Sequence, residues 1–408
     1  MKCGLLGEKL GHSYSPFIHS QLGDYTYDLF EKKSEELADF LHNGDFSGLN
    51  VTIPYKKEVI PYCAELSPQA QAVGAVNTIV RRSDGSLLGH NTDYFGFETM
   101  VKYSGLAVAG KKVLVLGSGG ASNTVVAVLQ AMSAMPVVIS RQGENNYENL
   151  QLHADAAVIV NATPVGMYPN TEAAPVDIAI FPKLEGVLDL IYNPARTMLL
   201  QAAEERGLVA MNGLLMLVAQ AKEAGQWFTG AAISDDKIIS IYQPLRQQME
   251  NIVLIGMPGC GKSTVGKLLA DKTGKTFVDA DALIPELAGK SIQQIFAEDG
   301  EEVFREWETK VLFTLGKKSG MVIATGGGCV TRGVNRAILR QNGRVFCLKR
   351  NLGDLQTDGR PLSQGVGVAE LYRIRKPLYE HFGEYFIDNN GKPADTAAAI
   401  LKILEEMQ

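Results

Sequence analysis

The chain has 408 residues, which is more than one hydrophobic core usually serves, so two or three domains are expected. Hydrophobic residues make up 46% and charged residues 21%, a composition that excludes a largely disordered protein. The net charge of −6 gives no general attraction to nucleic acid or to an anionic membrane, so any phosphate binding must come from locally placed basic residues and backbone amides.

The cysteines and the N-terminal segment indicate a compartment. The five cysteines are odd in number and no two stand at CxxC spacing, which disfavours a metal site or a disulfide framework. Charge appears at Lys2, Glu8 and Lys9, too early for a signal peptide, and no apolar stretch reaches the roughly 20 residues of a membrane span. The sequence therefore predicts a cytoplasmic protein with reduced thiols that binds neither nucleic acid nor membrane; it gives no indication of oligomeric state.

Two segments pass from a strand-like apolar run into a glycine-rich turn and then into a helix. The runs are Val113–Leu116 and Ile252–Ile255. In α/β folds this arrangement binds nucleotides, because a helix N-terminus offers free amides to phosphate. Two such units predict two separate nucleotide sites.

The first turn has the pattern of a dinucleotide site. Gly117, Gly119 and Gly120 permit a tight turn and close approach of a pyrophosphate, and Ser122 stands where a third glycine is usual. After the next apolar run comes Arg141, where an NAD site usually has an acidic residue. We interpret the arginine as a partner for a 2′-phosphate, which favours NADP; the alternatives are a plain strand–helix turn and a surface arginine.

Further motifs surround this turn, and they share an order along the chain. They are Gly11-His-Ser-x-Ser-Pro16, Asn50-Val-Thr-Ile-Pro-x-Lys56, Ala75-Val-Asn-Thr78, Asn91-Thr-Asp93, Asn161-Ala-Thr-Pro-Val-Gly-Met167, Asp189-x-x-Tyr-x-Pro194 and Asn212-Gly213 with Gln220-Ala221. In these motifs, roughly residues 4 to 245 resemble the shikimate dehydrogenases. One departure is Ser140-Arg141-Gln142, where the family usually has Asn-Arg-Thr; the arginine is retained, but selectivity for NADP over NAD stays open.

The resemblance implies a role for each matching residue. Lys56 and Asp93 match the catalytic dyad: a ketone reduced by hydride needs a proton and a nearby positive charge at its oxygen, which a lysine held by a carboxylate can supply. Positions that hydrogen-bond the substrate are matched by Ser13, Ser15, Thr52, Asn77, Tyr192 and Gln220. Positions that bind NADP are matched by Gly117, Gly119, Gly120, Ala121, Ser122, Arg141, Thr163 and Gly213.

The second glycine turn satisfies the P-loop pattern completely. Its backbone amides are expected to surround ATP phosphates, with Lys262 reaching the outer phosphates and the Ser263 hydroxyl binding Mg²⁺. The predicted ATP-binding residues are Gly256, Pro258, Gly259, Cys260, Gly261, Lys262, Ser263 and Thr264. Cys260 needs no chemical role and is interpreted as a spacer.

Downstream of the P-loop, residues 251 to 388 resemble shikimate kinases. The motifs are Phe277-Val-Asp-Ala-Asp281, Gly300-Glu-Glu-x-Phe-Arg-x-x-Glu308, Ala324-Thr-Gly-Gly-Gly328 and Leu371-x-x-x-Arg-x-Pro-Leu-Tyr379. The resemblance implies that Asp279 helps Ser263 hold Mg²⁺ and that Asp281 contacts the acceptor hydroxyls as a possible base. It also assigns acceptor binding to Asp281, Arg305, Gly327, Gly328 and Arg375, two of which are arginines whose forked donors match a carboxylate.

Arg360, in Asp358-Gly-Arg-Pro-Leu362, matches the lid arginine that closes over the phosphates and acts as a catalytic residue in the family. The segment from Leu348 to Pro361 is shorter than the family's usual approach to the lid. No residue clearly matches the further arginine that lies against adenine, although Arg350 is nearby. The lid and the adenine contacts therefore stay open.

These patterns predict an α/β fold with three domains. Residues 1–104 and 211–246 are expected to form a dehydrogenase-like substrate domain, residues 105–210 a Rossmann NADP domain, and residues 251–408 a P-loop kinase domain with a parallel sheet. No Gly/Ser- or Pro-rich linker separates the halves.

The predicted function is bifunctional, with NADP(H), ATP and Mg²⁺ as cofactors. The first half is expected to reduce 3-dehydroshikimate to shikimate, and the second to phosphorylate shikimate to shikimate 3-phosphate. One alternative is a quinate/shikimate dehydrogenase of broader specificity with an impaired kinase half. Another is a non-catalytic ligand sensor, which would have lost Lys56, Asp93, Lys262 or Asp279; all four are present.

Overall fold

The computed structural model describes residues 1–11, 13–355 and 367–406, and the chain separates into two compact units. The first unit is Met1–Tyr192 with Ala202–Pro244, and the second is Asn193–Gln201 with Leu245–Gln408. Residues 193–201 thus pack in the second unit, although the sequence placed them within the dinucleotide-binding stretch 105–210.

The first sheet of the first unit is mixed. Its order is β2-β1-β3-β5-β6-β4, in which β1 pairs parallel with β2 and β3 while β5 runs antiparallel to β3 and β6. The strands are β1 (Lys2–Gly7), β2 (Thr26–Glu31), β3 (Gly48–Val51), β4 (Glu65–Leu66), β5 (Thr78–Arg81) and β6 (Leu87–His90), and the helices are α1 (Ser15–His19), α2 (Ser34–Asn43) and α3 (Pro68–Val73).

The second sheet of this unit is entirely parallel, with the order β11-β10-β9-β7-β8. The chain leaves β7 to one side for β8 and returns to its other side for β9, so the glycine turn after β7 lies at a switch point, where α/β sheets bind ligands. The elements are α4 (Asp93–Ser104), β7 (Lys112–Leu116), α5 (Gly120–Ala131), β8 (Met135–Ile139), β9 (Val158–Asn161), β10 (Gly186–Asp189), α6 (Met198–Glu205), β11 (Val209–Asn212), α7 (Leu214–Thr229) and α8 (Asp236–Met249).

The second unit is built on a parallel sheet of order β13-β14-β12-β15-β16. The central strand β12 is buried at every position, as expected where helices cover both faces. The elements are β12 (Asn251–Ile255), α9 (Lys262–Thr273), β13 (Thr276–Asp279), α10 (Ala280–Ala288), α11 (Ile292–Gln294), α12 (Gly300–Gly316), β14 (Met321–Ala324), α13 (Val334–Arg340), β15 (Gly343–Lys349), α14 (Val368–Phe382), β16 (Tyr385–Asp388) and α15 (Pro393–Glu406).

The expected α/β class, with a mixed sheet, a Rossmann-type sheet and a P-loop sheet, is confirmed. The chain passes between the two units at three points: after Tyr192, outside any helix or strand, after Gln201, inside α6, and after Pro244, inside α8. None of the helices that the structure describes combines the length and apolarity needed to span a bilayer.

Candidate active sites

A cavity of about 320 Å³ lies in the first unit at the carboxyl ends of β1 and β3. All six residues predicted to bind the substrate line it: Ser13, Ser15, Thr52, Asn77, Tyr192 and Gln220. Lys56 lines the same cavity. Residues that lie far apart in sequence are therefore brought to one polar space.

Lys56 is held by Asp93. Its Nζ lies 2.6 Å from Asp93 Oδ2, and the Asp93 side chain is 9% exposed whereas that of Lys56 is 30% exposed. Asp93 is the first residue of α4, where the helix dipole also favours a carboxylate. The ammonium thus faces the cavity while its partner is buried behind it, which is the arrangement required of a proton donor that must keep a fixed position.

Asn77 orients a second polar group of the cavity. Its Oδ1 accepts from the Thr92 backbone N–H at 2.7 Å, and this fixes the amide so that Nδ2 donates to Gln220 Oε1 at 3.1 Å. Asn77 is almost wholly buried. The Gln220 amide nitrogen is thereby left available for a hydroxyl or carboxylate oxygen in the cavity.

The cavity contains residues that the predictions left out. Asn50 Oδ1 accepts from the Tyr27 hydroxyl at 2.7 Å, and His19 stacks on the Tyr27 ring with centroids 3.9 Å apart. Burial lowers the pKa of His19 to about 3, so its ring is neutral at ordinary pH. Asn50 begins the Asn50–Lys56 motif, and His19 lies one helical turn after Ser15. Neither residue type by itself indicates a substrate contact, so neither was predicted.

The glycine turn after β7 has the geometry of a phosphate cradle. Gly117 adopts a φ of +101° and a Cβ there would lie 2.9 Å from Thr163 Cγ2, so a side chain is excluded. A Cβ at Gly119 or Gly120 would meet no atom within 4 Å, which leaves open space before the first turn of α5. Ser122 is buried on the other side of this turn, where a small side chain lets the helix pack on its strand.

The other residues predicted for NADP surround this turn or lie at neighbouring strand ends. Arg141 is exposed just after β8, and Thr163, after β9, donates its hydroxyl to Asn161 Oδ1 at 2.7 Å. Gly213 precedes α7, and a Cβ there would clash with the Leu190 carbonyl oxygen. Open amides at a helix start and an exposed guanidinium beyond the second strand fit a dinucleotide with a 2′-phosphate.

A larger cavity, about 550 Å³, lies in the second unit at the P-loop. Pro258, Gly259, Gly261, Lys262, Ser263 and Thr264 line it. Lys262 is 8% exposed and its Nζ donates to the carbonyl oxygens of Gly256 and Met257 at 2.9 and 3.0 Å. Gly256 and Cys260 do not line the cavity; Cys260 is fully buried, and its carbonyl accepts from Asn389 Nδ2 at 2.6 Å.

Ser263 and Asp279, the predicted magnesium ligands, are in contact. The Ser263 hydroxyl donates to Asp279 Oδ2 at 2.7 Å, and Asp279 also accepts from the Asp281 backbone N–H at the start of α10. A hydroxyl and a carboxylate at the P-loop are the oxygen ligands that Mg²⁺ takes from protein when substrate phosphates complete its shell. The donor set therefore fits this ion.

Three consecutive glycines after β14 allow groups to converge on the cavity. A Cβ at Gly326 would clash with Glu308 Oε1, one at Gly327 would lie 2.6 Å from Pro258 Cδ, and one at Gly328 would clash with Arg305 Cζ. A side chain at any of the three positions would force one of these groups to move. The glycines thus let the P-loop, an acidic group and an arginine share one space.

The two predicted carboxylate-binding arginines line this cavity and are buried. Arg305 donates to Glu308 Oε2 and Glu301 Oε1, each at 2.9 Å, and Arg375 donates to the Gly327 carbonyl at 3.1 Å. Asp281 lines the same cavity. The positive groups thus stand around the space that an anionic acceptor would occupy.

Glu308 is the main residue that the predictions left out here. Burial raises its pKa, and the charge of Arg305 opposes the rise. Its Oε1 is buried and has no hydrogen-bond partner among the described residues, so it can accept from a ligand hydroxyl. The sequence feature that could have identified Glu308 is its i, i+3 spacing from Arg305 on α12, which places both residues on one face of the helix.

Arg350 also lines the cavity, with Nη1 3.7 Å from where a Cβ of Gly261 would stand. Arg360, predicted to close the lid, lies outside the described residues, as does His12 of the first motif.

Fold and site together define the class: a dinucleotide-dependent oxidoreductase unit followed by a P-loop phosphotransferase unit. Comparison with protein families narrows it. A family model for the shikimate dehydrogenase substrate binding domain matches residues 5–79, and the model for shikimate kinase matches residues 258–408.

Individual relatives agree over the first part of the chain. The NADP(+) shikimate dehydrogenase of Clostridium perfringens strain SM101 is 36% identical over 266 residues, which is 60% of this chain and 97% of that protein. Among solved structures, a chorismate mutase/shikimate 5-dehydrogenase fusion protein from Clostridium acetobutylicum is 37% identical with a TM-score of 0.58, over 60% of this chain and 97% of that chain. Shikimate 5-dehydrogenase from Thermus thermophilus, in complex with NADP(H) and shikimate, is 30% identical with a TM-score of 0.55, over 60% and 98%.

The chain therefore belongs to the shikimate dehydrogenase family, and it carries a shikimate kinase domain after the dehydrogenase part.

Proposed function

We propose that this chain is a bifunctional enzyme that reduces 3-dehydroshikimate with NADPH and phosphorylates the resulting shikimate with Mg-ATP. The observation that carries the proposal is the larger cavity, in which Lys262 of the P-loop and the buried arginines Arg305 and Arg375 line one space. A phosphate donor and a carboxylate-bearing acceptor would meet there, and shikimate, the product of the first reaction, is such an acceptor.

In the first site, Lys56 is the proton donor. NADPH, when bound at the glycine turn after β7, supplies the hydride that the carbonyl carbon receives. The carbonyl oxygen takes a proton from the Lys56 ammonium and becomes the hydroxyl, and Asp93 keeps the lysine in position at 2.6 Å. Ser13, Ser15 and the Asn77–Gln220 pair bind the carboxylate and hydroxyls of the ring.

In the second site, Asp281 accepts the proton of the attacking 3-hydroxyl, whose oxygen forms the new bond to the γ-phosphorus as the bond to the leaving ADP breaks. Lys262 and the amides of the P-loop stabilise the charge on the phosphates. Mg²⁺ is expected on Ser263 and Asp279. Arg305 and Arg375 fix the acceptor carboxylate so that the ring presents its hydroxyl to the phosphate.

The test follows products by mass spectrometry after the purified chain receives 3-dehydroshikimate, NADPH and Mg-ATP. Shikimate 3-phosphate is expected from the native chain. Lys56→Ala should lower formation of shikimate by about 10²- to 10⁴-fold, and it should leave phosphorylation of added shikimate intact. Lys262→Ala should let shikimate accumulate. The exposed neighbours Lys57→Ala and Lys267→Ala serve as matched controls.

Two results would contradict the proposal. Accumulation of shikimate without phosphate by the native chain would mean that the kinase unit is inactive toward this acceptor. No reduction of 3-dehydroshikimate, with faster turnover of quinate, would instead favour the broader dehydrogenase.

A further inference from the structure

A nine-residue segment from the middle of the dehydrogenase sequence packs within the second unit. Residues 193–201 follow directly on Tyr192 of the first cavity, and the motif Asp189-x-x-Tyr-x-Pro194 that contains their start resembles the dehydrogenases. They nevertheless belong to the same compact unit as Leu245–Gln408. The sequence patterns of neither half indicate that this segment packs in the second unit.

The segment satisfies backbone groups where α13 leads into β15. The Arg196 N–H donates to the Gln341 carbonyl at 2.8 Å, its Nε donates to the Arg340 carbonyl at 2.8 Å, and its Nη2 donates to the Gly343 carbonyl. The Ala195 N–H donates to Asn342 Oδ1, also at 2.8 Å. Carbonyls that would lie buried at the end of a helix thus obtain donors from this segment.

Among the residues that the structure describes, Arg196 also provides the closest positive charge to Glu384. Its Nη1 lies 2.6 Å from Glu384 Oε1, whereas Arg340 and Arg344 are 3.5 and 3.7 Å from that oxygen. The Arg196 and Glu384 side chains are 7% and 17% exposed. Burial raises the pKa of Glu384, but Arg196 and then Arg344 hold it below its ordinary value. The carboxylate is therefore ionised and depends on its arginine partners.

Glu384 links Arg196 to the two strands that lead to the phosphate-binding end of the sheet. It stands just before β16, and its Oε2 accepts from the Val345 N–H of β15 at 2.9 Å. Beyond the far ends of these two strands lie Asn389, which donates to the P-loop carbonyl of Cys260 at 2.6 Å, and Arg350, which lines the larger cavity.

We propose that residues 193–201 are a required part of the kinase unit, in which Arg196 serves as the counter-charge of Glu384 and fixes the starts of β15 and β16. The interaction surface is the α13–β15 connection with Glu384, and its partner is this segment of the same chain. Arg196 is a positioning residue for the kinase, although it lies within the dehydrogenase sequence.

The test uses hydrogen exchange of the full-length chain, followed by mass spectrometry. In Arg196→Met the peptides covering β15 and β16 are expected to exchange on the order of a hundredfold faster, because one partner of a buried pair is lost. Kinase activity should fall while dehydrogenase activity is retained. Arg206→Met is the matched control, since Arg206 also donates to two backbone carbonyls, those of Ile178 and Phe181 in the first unit.

A second set of variants separates the ion pair from a general loss of packing. In a Glu384→Gln background the same Arg196→Met change should accelerate exchange by less than about tenfold, because no carboxylate then needs a partner. Arg196→Lys keeps the charge but loses the fork, so its exchange rate in β15 and β16 should lie between those of the native chain and Arg196→Met. If Arg196→Met does not fold, the comparison of Arg196→Lys with the native chain is the test.

Two results would overturn the inference. One is exchange in β15 and β16 within about twofold of the native chain in Arg196→Met. The other is an equal effect of Arg196→Met with and without Glu384→Gln. The exchange measurement needs no substrate, so it stands even if the proposed phosphorylation fails.

Discussion

At the residue scale, the proposed binding of the acceptor carboxylate uses the forked geometry of the cavity arginines as well as their charge. Arg375 is 3% exposed, lines the cavity and donates one N–H to the Gly327 carbonyl. Arg375→Lys keeps the charge but loses the planar fork that can hold the backbone carbonyl and a carboxylate in a fixed arrangement. We expect the KM for shikimate to rise about tenfold, equivalent to roughly 1.4 kcal/mol, with little change in the KM for ATP.

The same helix supplies the control for this change. Arg373 lies two residues earlier on α14, is exposed, and pairs with Glu370 at 2.7 Å. Arg373→Lys should leave both KM values unchanged. Steady-state kinetics with each substrate varied in turn measure the difference, and an equal rise in the ATP KM would show that Arg375 supports the whole cavity instead of the acceptor.

A buried histidine makes the first unit sensitive to acid. His19 has its pKa lowered from 6.5 to about 3 by burial, so between these values the unfolded chain binds a proton that the folded chain does not. Stability therefore falls as pH drops from 6.5 toward 3, by about 1.4 kcal/mol per pH unit for this group. Burial also lowers the pKa of His90 to about 4, so His90 adds to the same dependence of stability on pH above pH 4.

The slope can be measured through one tryptophan. The chain has two, Trp227 of the first unit and Trp307 of the second, so Trp307→Phe leaves a single reporter. Urea unfolding at several pH values gives the slope of the free energy of unfolding against pH. This slope should be smaller in His19→Gln by the contribution of about one proton, whereas His42→Gln, at an exposed position of α2, should not change it. An unchanged slope in His19→Gln would contradict the assignment.

The side chains that line the cavities could be predicted from sequence where a local pattern defines the chemistry. Lys56, Lys262 and the hydroxyl side chains of Ser13, Ser15 and Thr52 stand in short motifs, and the structure brings them to two cavities. His19 and Glu308 were left out for a physical reason. Their importance comes from burial against Tyr27 and Arg305, and burial at an individual polar position is set by packing between distant segments.

At the element scale, the turn after β14 depends on the absence of side chains. A Cβ at Gly328 would clash with the guanidinium carbon of Arg305, so Gly328→Ala must displace that arginine from the cavity. We expect loss of most kinase activity, with a stability cost of about 1–3 kcal/mol for overpacking. Dehydrogenase activity of the same preparation should be retained.

Gly333→Ala, five residues later, is the matched control. Gly333 precedes α13 with a φ of −55°, and a Cβ there would meet no atom within 4 Å. It should leave kinase activity unchanged. Thermal unfolding and shikimate-dependent ATP turnover of both variants separate displacement of Arg305 from a general effect of alanine; a fully active Gly328→Ala would show that Arg305 is not needed at that position.

Elements were predictable to the extent that their signals are local. The two strand–glycine–helix units were found because positive φ and phosphate access impose glycine at fixed spacings. The packing of residues 193–201 in the second unit was not predictable. Nothing in Asn193-Pro-Ala-Arg196 indicates a contact with Glu384, which lies 188 positions from Arg196.

At the scale of the whole molecule, the division into two units sets which ligand stabilises which residues. NADP⁺ should stabilise Met1–Tyr192 and Ala202–Pro244, and Mg-ATP should stabilise Leu245–Gln408. A ligand present at about 100 times its Kd adds about 2.7 kcal/mol to the unit that binds it. Amides that exchange only when that unit unfolds should then exchange on the order of a hundredfold more slowly.

Residues 193–201 provide the discriminating readout, because sequence assigns them to the NADP half and packing assigns them to the kinase unit. Hydrogen exchange of the full chain is expected to slow in these residues on addition of Mg-ATP and not of NADP⁺. Lys262→Ala should abolish the Mg-ATP effect and retain the NADP⁺ effect elsewhere. Equal slowing of all regions by either ligand would mean that the chain unfolds as one cooperative body, since protection then spreads to every residue that shares the unfolding event.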